Sequence, residues 1–239
     1  MHFLQDIQEE LIKEGFIVIS LLQQEQIKHL LNVYETTVST SGVNAAFYTS
    51  IWSDDINHRK NTDEGIKEVL FKELVTIIKD IQPVFANFMV KAPGDASALL
   101  PHQDWSFVDE PQFESYTVWV PLVDVNPKNG NLQVVPASHL KYKNYVRARF
   151  SDAPFDRDEE AKNLIDIPMK AGKALILNSR LIHASPPNLS GKERIAASIV
   201  IAPKAAILKH WVSRNDLISE MQVDESFFWK HSCYDKLSE

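Results

Sequence analysis

Apolar residues in the first third of the chain recur with the spacing of amphipathic helices. The first stripe begins at Leu4 and predicts a helix that ends at Gly15. The same period predicts two longer helices, over residues 24–38 and 62–81. A short apolar run over residues 16–20 predicts one strand between the first two helices. The N-terminal third is therefore expected to be mainly helical.

The pattern changes near residue 84 to short apolar runs separated by turn residues. Asn129 and Gly130 form a dipeptide that is typical of tight turns between strands. Strands are predicted over residues 84–91, 99–105, 115–123, 132–135, 174–177 and 195–202. Short strands behind a helical N-terminal third indicate a mainly β protein with supporting helices. A β-barrel or jelly roll is favoured over alternating βαβ units.

A single domain is expected over residues 1–239, because barrel and sandwich folds commonly use this length of chain. Residues 1–83 would form the helical support, and residues 84–203 the jelly-roll core. Residues 142–167 are charged and aromatic without a clear period, which predicts an insertion between strands. Residues 204–239 would form a C-terminal helical or packing segment.

Composition and charge narrow the functional classes. A net charge of −7 disfavours nucleic acid as a partner, because phosphate binding needs clustered lysine and arginine. The longest apolar runs, such as residues 196–203, are too short to span a bilayer, and residues 1–10 do not resemble a signal peptide. We therefore expect a cytoplasmic protein with no membrane partner. Cys233 is the single cysteine, so a metal would be bound by histidine and carboxylate.

The chemistry is concentrated in four residues. His102 is the one histidine followed two residues later by an acid, Asp104, and on a strand both side chains would point to the same face. His183 supplies a second imidazole, and two imidazoles with one carboxylate are the ligands of a mononuclear non-haem Fe(II) site. Arg194 lies on the strand that returns beside His183. Its guanidinium is shaped to bind a carboxylate at two points, such as the far end of 2-oxoglutarate.

With these residues, the chain resembles the phytanoyl-CoA dioxygenase-like family of Fe(II)- and 2-oxoglutarate-dependent oxygenases. The resemblance covers about residues 16–203 and rests on an ordered set of blocks. These blocks are residues 102–104, 118–124, 129–132 and 135–139, followed by His183 and Arg194. The resemblance implies a double-stranded β-helix, a jelly roll of the cupin-like kind, which agrees with the strand pattern.

The resemblance also implies roles for individual residues. His102, Asp104 and His183 would bind iron as the catalytic ligands, and Arg194 would bind the distal carboxylate of 2-oxoglutarate. Further contacts to the co-substrate would come from Asn87, Trp119 and Ser185. His139 belongs to one of the shared blocks and would order the loop after a strand, because the metal already has two imidazoles.

Two groups of aromatic residues are expected near the substrate. Trp105 and Phe107 follow the carboxylate ligand and would line the substrate side of the metal, or else belong to the core. Residues 45–59 carry three aromatics that would form a lid: Phe47, Tyr48 and Trp52. The alternative for this segment is a loop that its aromatics anchor to the protein.

Hydroxylation is the reaction that the resemblance implies. 2-Oxoglutarate and O2 would react at Fe(II) to give succinate, CO2 and an oxidant that removes hydrogen from an unactivated C–H bond. Related halogenases have a small residue in place of Asp104, so halogenation is disfavoured. The same oxidant would also serve desaturation, cyclisation or epoxidation, and a non-catalytic jelly-roll binding protein is the alternative of another class. We expect a small-molecule substrate, free or tethered to a carrier protein, and the sequence does not indicate the oligomeric state.

Overall fold

A computed structural model of the chain describes residues 1–37, 46–142, 145–148, 153–214 and 217–231. The α-helices in these ranges are α1 (Gln5–Lys13), α2 (Gln24–Thr37), α3 (Ile56–Ile77), α4 (Ser138–Lys141), α5 (Arg157–Ala161) and α6 (Phe227–Lys230). Single 3-10 turns occur at Ser50–Trp52, Asp95–Ser97 and Pro127–Asn129. The strands are β1 (His2–Phe3), β2 (Phe16–Ser20), β3 (Phe47–Thr49), β4 (Ile78–Lys79), β5 (Ile81–Lys91), β6 (Leu99–His102), β7 (Tyr116–Pro121), β8 (Leu132–Val134), β9 (Ile165–Ile167), β10 (Lys173–Asn178), β11 (His183–Ser185), β12 (Arg194–Pro203), β13 (Lys209–Arg214) and β14 (Leu217–Gln222).

Two antiparallel sheets form the core. The larger sheet has the strand order β2-β10-β7-β12-β5-β3, and the smaller has the order β6-β11-β8-β9. Trp119 and Leu175 of the larger sheet pack in one buried cluster with Leu132 and Val134 of the smaller sheet. Two antiparallel sheets that pack face to face in this way form a jelly roll. The predicted mainly β fold with supporting helices is confirmed.

Helices cover the outer face of the larger sheet. Alternate residues of its central strands, such as Phe88 and Ile199, share a buried cluster with Leu30 of α2 and with Ile66 and Leu70 of α3. The residues between them point the other way, toward the smaller sheet. No helix in the described part of the chain is both long and apolar enough to cross a membrane.

Helix α3 begins earlier than the apolar pattern predicts. The Asp55 carboxylate caps it by accepting hydrogen bonds from the backbone N–H groups of Asn57 and His58, at 2.8 and 3.3 Å. His58 and Arg59 in its first turns are polar and buried, so a search for apolar residues at helical spacing misses them. The helix ends at Ile77, and Asp80, with a φ of +56°, redirects the chain into β5.

The described part of the predicted C-terminal helical or packing segment, residues 204–239, contains a hairpin and one short helix. Strands β13 and β14 form an antiparallel hairpin, and the short helix α6 follows it within the described residues. Every residue of β14 is exposed, so no alternation of apolar and polar residues marks this hairpin in the sequence. Phe228 of α6 does pack on the core, with its ring 5.5 Å from that of Phe85. Residues 232–239, including Cys233, lie outside the described residues.

The described part of the predicted insertion over residues 142–167 contains two regular elements. Helix α5 lies within it, and β9 at its end pairs with β8 as the last strand of the smaller sheet. The insertion therefore returns to the jelly roll before it ends. Parts of the second predicted helix, the predicted lid and the predicted insertion lie outside the described residues. These parts are residues 38–45, 143–144 and 149–152.

Candidate metal centre

The smaller sheet brings the two predicted histidine ligands together. His102 ends β6 and His183 begins β11, and the two residues are direct partners in the antiparallel register. Their ring centroids are 4.2 Å apart. A short strand pair can hold two imidazoles this close because directly opposed residues place their side chains on the same face.

Asp104 lies near the two histidines, but its backbone position differs from the predicted one. Strand β6 ends at His102, so Asp104 lies on the following loop and not on the strand face that we expected. The loop is fixed because the Asp104 N–H donates to the Ser179 carbonyl at 3.1 Å. Asp104 Oδ1 nevertheless lies 3.6 Å from His183 Nε2, and one ligand atom from each of the three residues falls within 4.8 Å of the others.

Hydrogen bonds orient the rings of both histidines. His102 Nδ1 lies 2.8 Å from the Leu100 carbonyl, and His183 Nδ1 lies 3.0 Å from the Leu181 carbonyl. A carbonyl only accepts, so each Nδ1 carries a proton, and in the neutral form of each ring Nε2 is then the nitrogen that can ligate a metal. Burial, followed by the neighbouring His183, holds the pKa of His102 well below its usual value, which keeps this ring neutral. Two neutral imidazoles and one carboxylate fit a divalent first-row metal.

A row of polar residues lies on the inner face of the larger sheet, next to the three candidate ligands. Asn87 of β5, Ser198 of β12 and Trp119 of β7 stand side by side in register. Within the described residues, Asn87 Oδ1, Trp119 Nε1 and Ser198 Oγ are buried and have no hydrogen-bond partner, and the same holds for Ser185 Oγ. Buried polar atoms are normally satisfied, so this group fits a polar ligand between the sheets.

Arg194 lies at the far end of this polar row. Its side chain is 1% exposed, and its guanidinium carbon is 5.2 Å from the centre of the Trp119 ring. Its Nη1 donates to the Met89 carbonyl at 3.5 Å, while Nε has no partner among the described residues. Burial lowers the pKa of Arg194 to about 9. Across the described ranges no acidic side chain forms an ion pair with it, so the geometry fits an anionic ligand group.

The aromatics predicted near the substrate fall into separate places. Phe47 pairs with Lys91 across β3 and β5 and contacts Trp52 edge to face, with ring centroids 5.7 Å apart. Tyr48 points to the opposite, helical face of the sheet, where its hydroxyl is 2.9 Å from His58 Nε2. Tyr48 is therefore not brought to the metal centre, because neighbouring strand residues face opposite sides.

The two aromatics after Asp104 lie at one end of the barrel. Phe107 is buried, with its ring centroid 5.4 Å from that of Phe85 and 5.7 Å from that of Phe228. These contacts place Phe107 in the core, which was the alternative considered from the sequence. Trp105 is only partly buried and packs at the edge of the same cluster.

His139 lies away from the metal centre, as expected. It belongs to α4, and its Nε2 is 3.2 Å from the Ile12 carbonyl. A side chain at Gly15 would come within 2.4 Å of the His139 ring, so the glycine allows the first helix and α4 to approach each other. The role of His139 is thus to join two chain segments.

Sequence reasoning missed three polar residues around the site. Thr117 of β7 donates from its hydroxyl to Asp104 Oδ2 at 2.5 Å. Arg147 donates from Nε to the Asp104 carbonyl at 2.5 Å and pairs at two points with buried Glu110. Lys91 lies beside Arg194 on the inner face. Thr117 could have been found, because it shares a strand face with Trp119; the other two give no local signal.

The fold and the donor set together define a class: a double-stranded β-helix protein with two histidines and one carboxylate placed for a metal between its sheets. A comparison of the sequence with known families makes this specific. The chain belongs to the phytanoyl-CoA dioxygenase (PhyH) family, whose pattern matches residues 15–196. The resemblance drawn from the sequence blocks is therefore confirmed.

Curated relatives agree with this family over part of their length. The chain is 36% identical over 138 residues to the phytanoyl-CoA dioxygenase of Arabidopsis thaliana, covering 54% of this chain and 48% of that protein. It is 30% identical over 119 residues to phytanoyl-CoA dioxygenase 1 of Oryza sativa subsp. japonica, covering 47% and 41%. The chain thus spans about half the length of the curated relatives that it matches.

Solved structures share the fold over most of the chain. The non-heme alpha ketoglutarate dependent carbocyclase SnoK from nogalamycin biosynthesis superposes with a TM-score of 0.66 at 17% identity, covering 87% of each chain. HygX from Streptomyces hygroscopicus, solved with nickel and 2-oxoglutarate bound, gives a TM-score of 0.64 at 15% identity, covering 95% of this chain and 100% of that one. At these identities the likeness establishes the shared fold.

Proposed function

We propose that this protein is a non-haem Fe(II)- and 2-oxoglutarate-dependent dioxygenase that hydroxylates an unactivated C–H bond of a small metabolite. One observation carries the proposal. His102, Asp104 and His183 converge with both histidine Nδ1 atoms tied to carbonyls, at one end of a buried polar row whose other end is an arginine without an acidic partner in the described residues. This spacing suits a ligand that chelates a metal at one end and carries a carboxylate at the other.

His102 Nε2, Asp104 Oδ1 and His183 Nε2 would hold the iron. When bound, iron and 2-oxoglutarate supply the oxidation: with O2 the co-substrate is converted to succinate and CO2, and one oxygen atom is transferred to the substrate. Thr117 fixes the Asp104 carboxylate through Oδ2, which leaves Oδ1 directed at the ligand cluster. The protein thereby presents its three ligands without rearrangement.

Arg194 would bind the distal carboxylate of 2-oxoglutarate. Asn87, Trp119 and Ser185 support this proposal because each has a buried polar atom without a partner in the described part of the chain. Trp119 also packs under the guanidinium, so the arginine is held in place before the co-substrate arrives. A desolvated ion pair in this position would be strong because water is excluded from it.

The substrate would enter beside Phe47, Trp52 and Trp105. Phe47 lies on the inner face of the sheet and is braced by Trp52, which makes this pair the better candidate for a lid than Tyr48. We propose a small metabolite, free or tethered to a carrier protein, and a location in the cytoplasm. The net charge of −7 supports a small metabolite over a large polyanionic substrate, and the single cysteine supports a location in the cytoplasm.

A second outcome for the same oxidant is favoured by the structural neighbours. SnoK is described as a carbocyclase and SnoN, with a TM-score of 0.60, as an epimerase, so this fold carries reactions other than hydroxylation. Desaturation, cyclisation or epoxidation remain alternatives that the substrate geometry would decide. A non-catalytic binding protein is the alternative of another class, and the complete set of metal ligands argues against it.

Succinate formation tests the proposal. The protein is incubated with Fe(II), 2-oxoglutarate, ascorbate and a panel of metabolites, and succinate is measured against a control without iron. We expect iron-dependent succinate that rises with one group of metabolites, and none from Asp104→Ala, which loses the charged ligand. Metal and 2-oxoglutarate binding without any succinate across the panel would favour the binding protein.

A further inference from the structure

Lys91 is a lysine with no solvent exposure in the core of the protein. It ends β5, and its direct partner across the sheet is Arg194, so both side chains leave the same face of adjacent strands. A fully buried lysine is rare unless it is paired with an acid. Its neighbour here is a second buried cation.

The Lys91 ammonium is enclosed by the chain that follows the second histidine ligand. It donates to the Ser185 carbonyl at 3.0 Å and to the Pro186 carbonyl at 2.5 Å. A Cβ added to Gly130 would lie 3.0 Å from Lys91 Cδ, which shows how closely the lysine is packed. An ammonium has three N–H groups, so two carbonyls leave one donor for another partner.

The charges in this region do not balance. Neither Lys91 nor Arg194 forms an ion pair with an acid within the residues that the structure describes. Burial, and then the charge of Arg194, lowers the pKa of Lys91 to about 7. Hydrogen bonds to two carbonyls do not explain why this lysine lies beside another cation, because repulsion from Arg194 disfavours its charged form. An anion between the two groups would offset both penalties.

We propose that Lys91 is a second cation for the distal carboxylate of 2-oxoglutarate, acting with Arg194 to select a co-substrate that carries a negative charge at its far end. This inference rests on the proposed function. It assigns Lys91 to co-substrate binding in addition to its hydrogen bonds to the turn after β11. Lys91 and Arg194 would approach the carboxylate from neighbouring strands, and Ser185 Oγ, also without a partner in the described residues, would complete the pocket.

The test compares two ligands in the manganese-loaded protein by isothermal titration calorimetry. 2-Oxoglutarate is the full co-substrate, and 2-oxopentanoate keeps the carbon chain and the chelating end but lacks the distal carboxylate. Lys91→Met removes the charge and keeps the length of the side chain. We expect it to weaken 2-oxoglutarate binding about tenfold or more while 2-oxopentanoate binding changes less than about twofold. Lys173→Met, an exposed lysine of the same sheet, is the matched control and should change neither affinity.

Arg194→Ala tests the same inference without altering Lys91. If Lys91 is a second cation, this variant still prefers 2-oxoglutarate to 2-oxopentanoate, by about tenfold. Two results would overturn the inference: Arg194→Ala binds 2-oxoglutarate and 2-oxopentanoate with equal affinity, or Lys91→Met weakens the binding of both ligands equally. Lys91 would then only stabilise the turn after β11. A wild-type protein that binds neither ligand would overturn the proposed function, and the inference with it.

Discussion

The Thr117 hydroxyl donates to Asp104 Oδ2 at 2.5 Å, across from the large sheet to the loop that carries the carboxylate. This contact decides which oxygen of Asp104 remains for a metal. Oδ2 is occupied by the hydroxyl, and Oδ1 faces His183 Nε2 at 3.6 Å. Because Asp104 lies outside a strand, its backbone alone does not fix its side chain, and the threonine supplies the missing constraint.

Replacing Thr117 by valine should weaken metal binding while the fold is kept. Valine has nearly the same shape, so the loss is that of one hydrogen bond to a ligating carboxylate. Such a change typically costs about 10- to 100-fold in metal affinity. Titration with Mn(II), followed by calorimetry, measures the effect, and Thr117→Ser, which keeps the hydroxyl, is the control. Equal affinities in wild type and Thr117→Val would show that Asp104 needs no such support.

Arg194 should control the 2-oxoglutarate requirement and not the metal. Arg194→Ala is expected to raise the 2-oxoglutarate concentration for half-maximal succinate formation by roughly 30-fold or more. Arg194→Lys should recover part of this loss, because a point charge does not reproduce a two-point contact. Mn(II) affinity without co-substrate should match the wild type in both variants. A normal 2-oxoglutarate dependence in Arg194→Ala would place the anion site elsewhere.

Removing one partner of the buried ion pair between Arg147 and Glu110 should strongly destabilise the protein. Their side chains are 1% and 4% exposed, and the arginine also holds the Asp104 carbonyl. Arg147→Met would leave the Glu110 carboxylate buried without its partner, which typically costs about 3–5 kcal/mol in the free energy of unfolding. Urea denaturation followed by circular dichroism measures this.

The exposed pair of Lys162 with Glu159 provides the comparison. It is a surface contact at 2.6 Å with both side chains about two-thirds exposed. Lys162→Met should change the free energy of unfolding by less than about 1 kcal/mol. Similar losses in Arg147→Met and Lys162→Met would mean that the Arg147 pair is open to solvent in the folded protein.

Trp52 is predicted to keep oxidation coupled to the substrate. It braces Phe47, which lies on the inner face of the sheet beside the site. Trp52→Ala should leave metal and 2-oxoglutarate affinities unchanged but increase the succinate formed without hydroxylated product, because water would reach the site. The ratio of succinate to product is the measurement. A lower melting temperature with an unchanged ratio would make the pair a structural anchor, the alternative reading of this segment.

The sequence predicts the jelly roll because its strands carry their pattern locally. The strand predicted over residues 195–202 corresponds to β12, and the short run over residues 16–20 coincides with β2. Alternate residues of both strands pack on the two buried clusters, fully buried along most of β12 and partly buried in β2, so their residues are almost continuously apolar. The hairpin of β13 and β14 carries no such pattern, because β14 is exposed throughout.

Residue type and order single out the three proposed metal ligands, but local geometry does not account for the placement of all three. His102 and His183 are paired in the sheet, as strand residues can be. The position of Asp104 depends on contacts to Ser179 and Thr117, which are distant in sequence, so the expected strand face does not explain why it lies near the two histidines. Lys91 ends a strand without any neighbouring motif, and only the packing of β5 against β12 shows that it lies beside Arg194.

The most direct test of the central claim is a crystal structure with Mn(II) and 2-oxoglutarate, collected to locate the metal by its anomalous scattering. We predict one metal bonded to His102 Nε2, Asp104 Oδ1 and His183 Nε2, at about 2.0–2.2 Å. The distal carboxylate of 2-oxoglutarate should lie on the Arg194 guanidinium, above Trp119. A metal bound elsewhere, or a co-substrate whose carboxylate lies away from Arg194, would contradict the account.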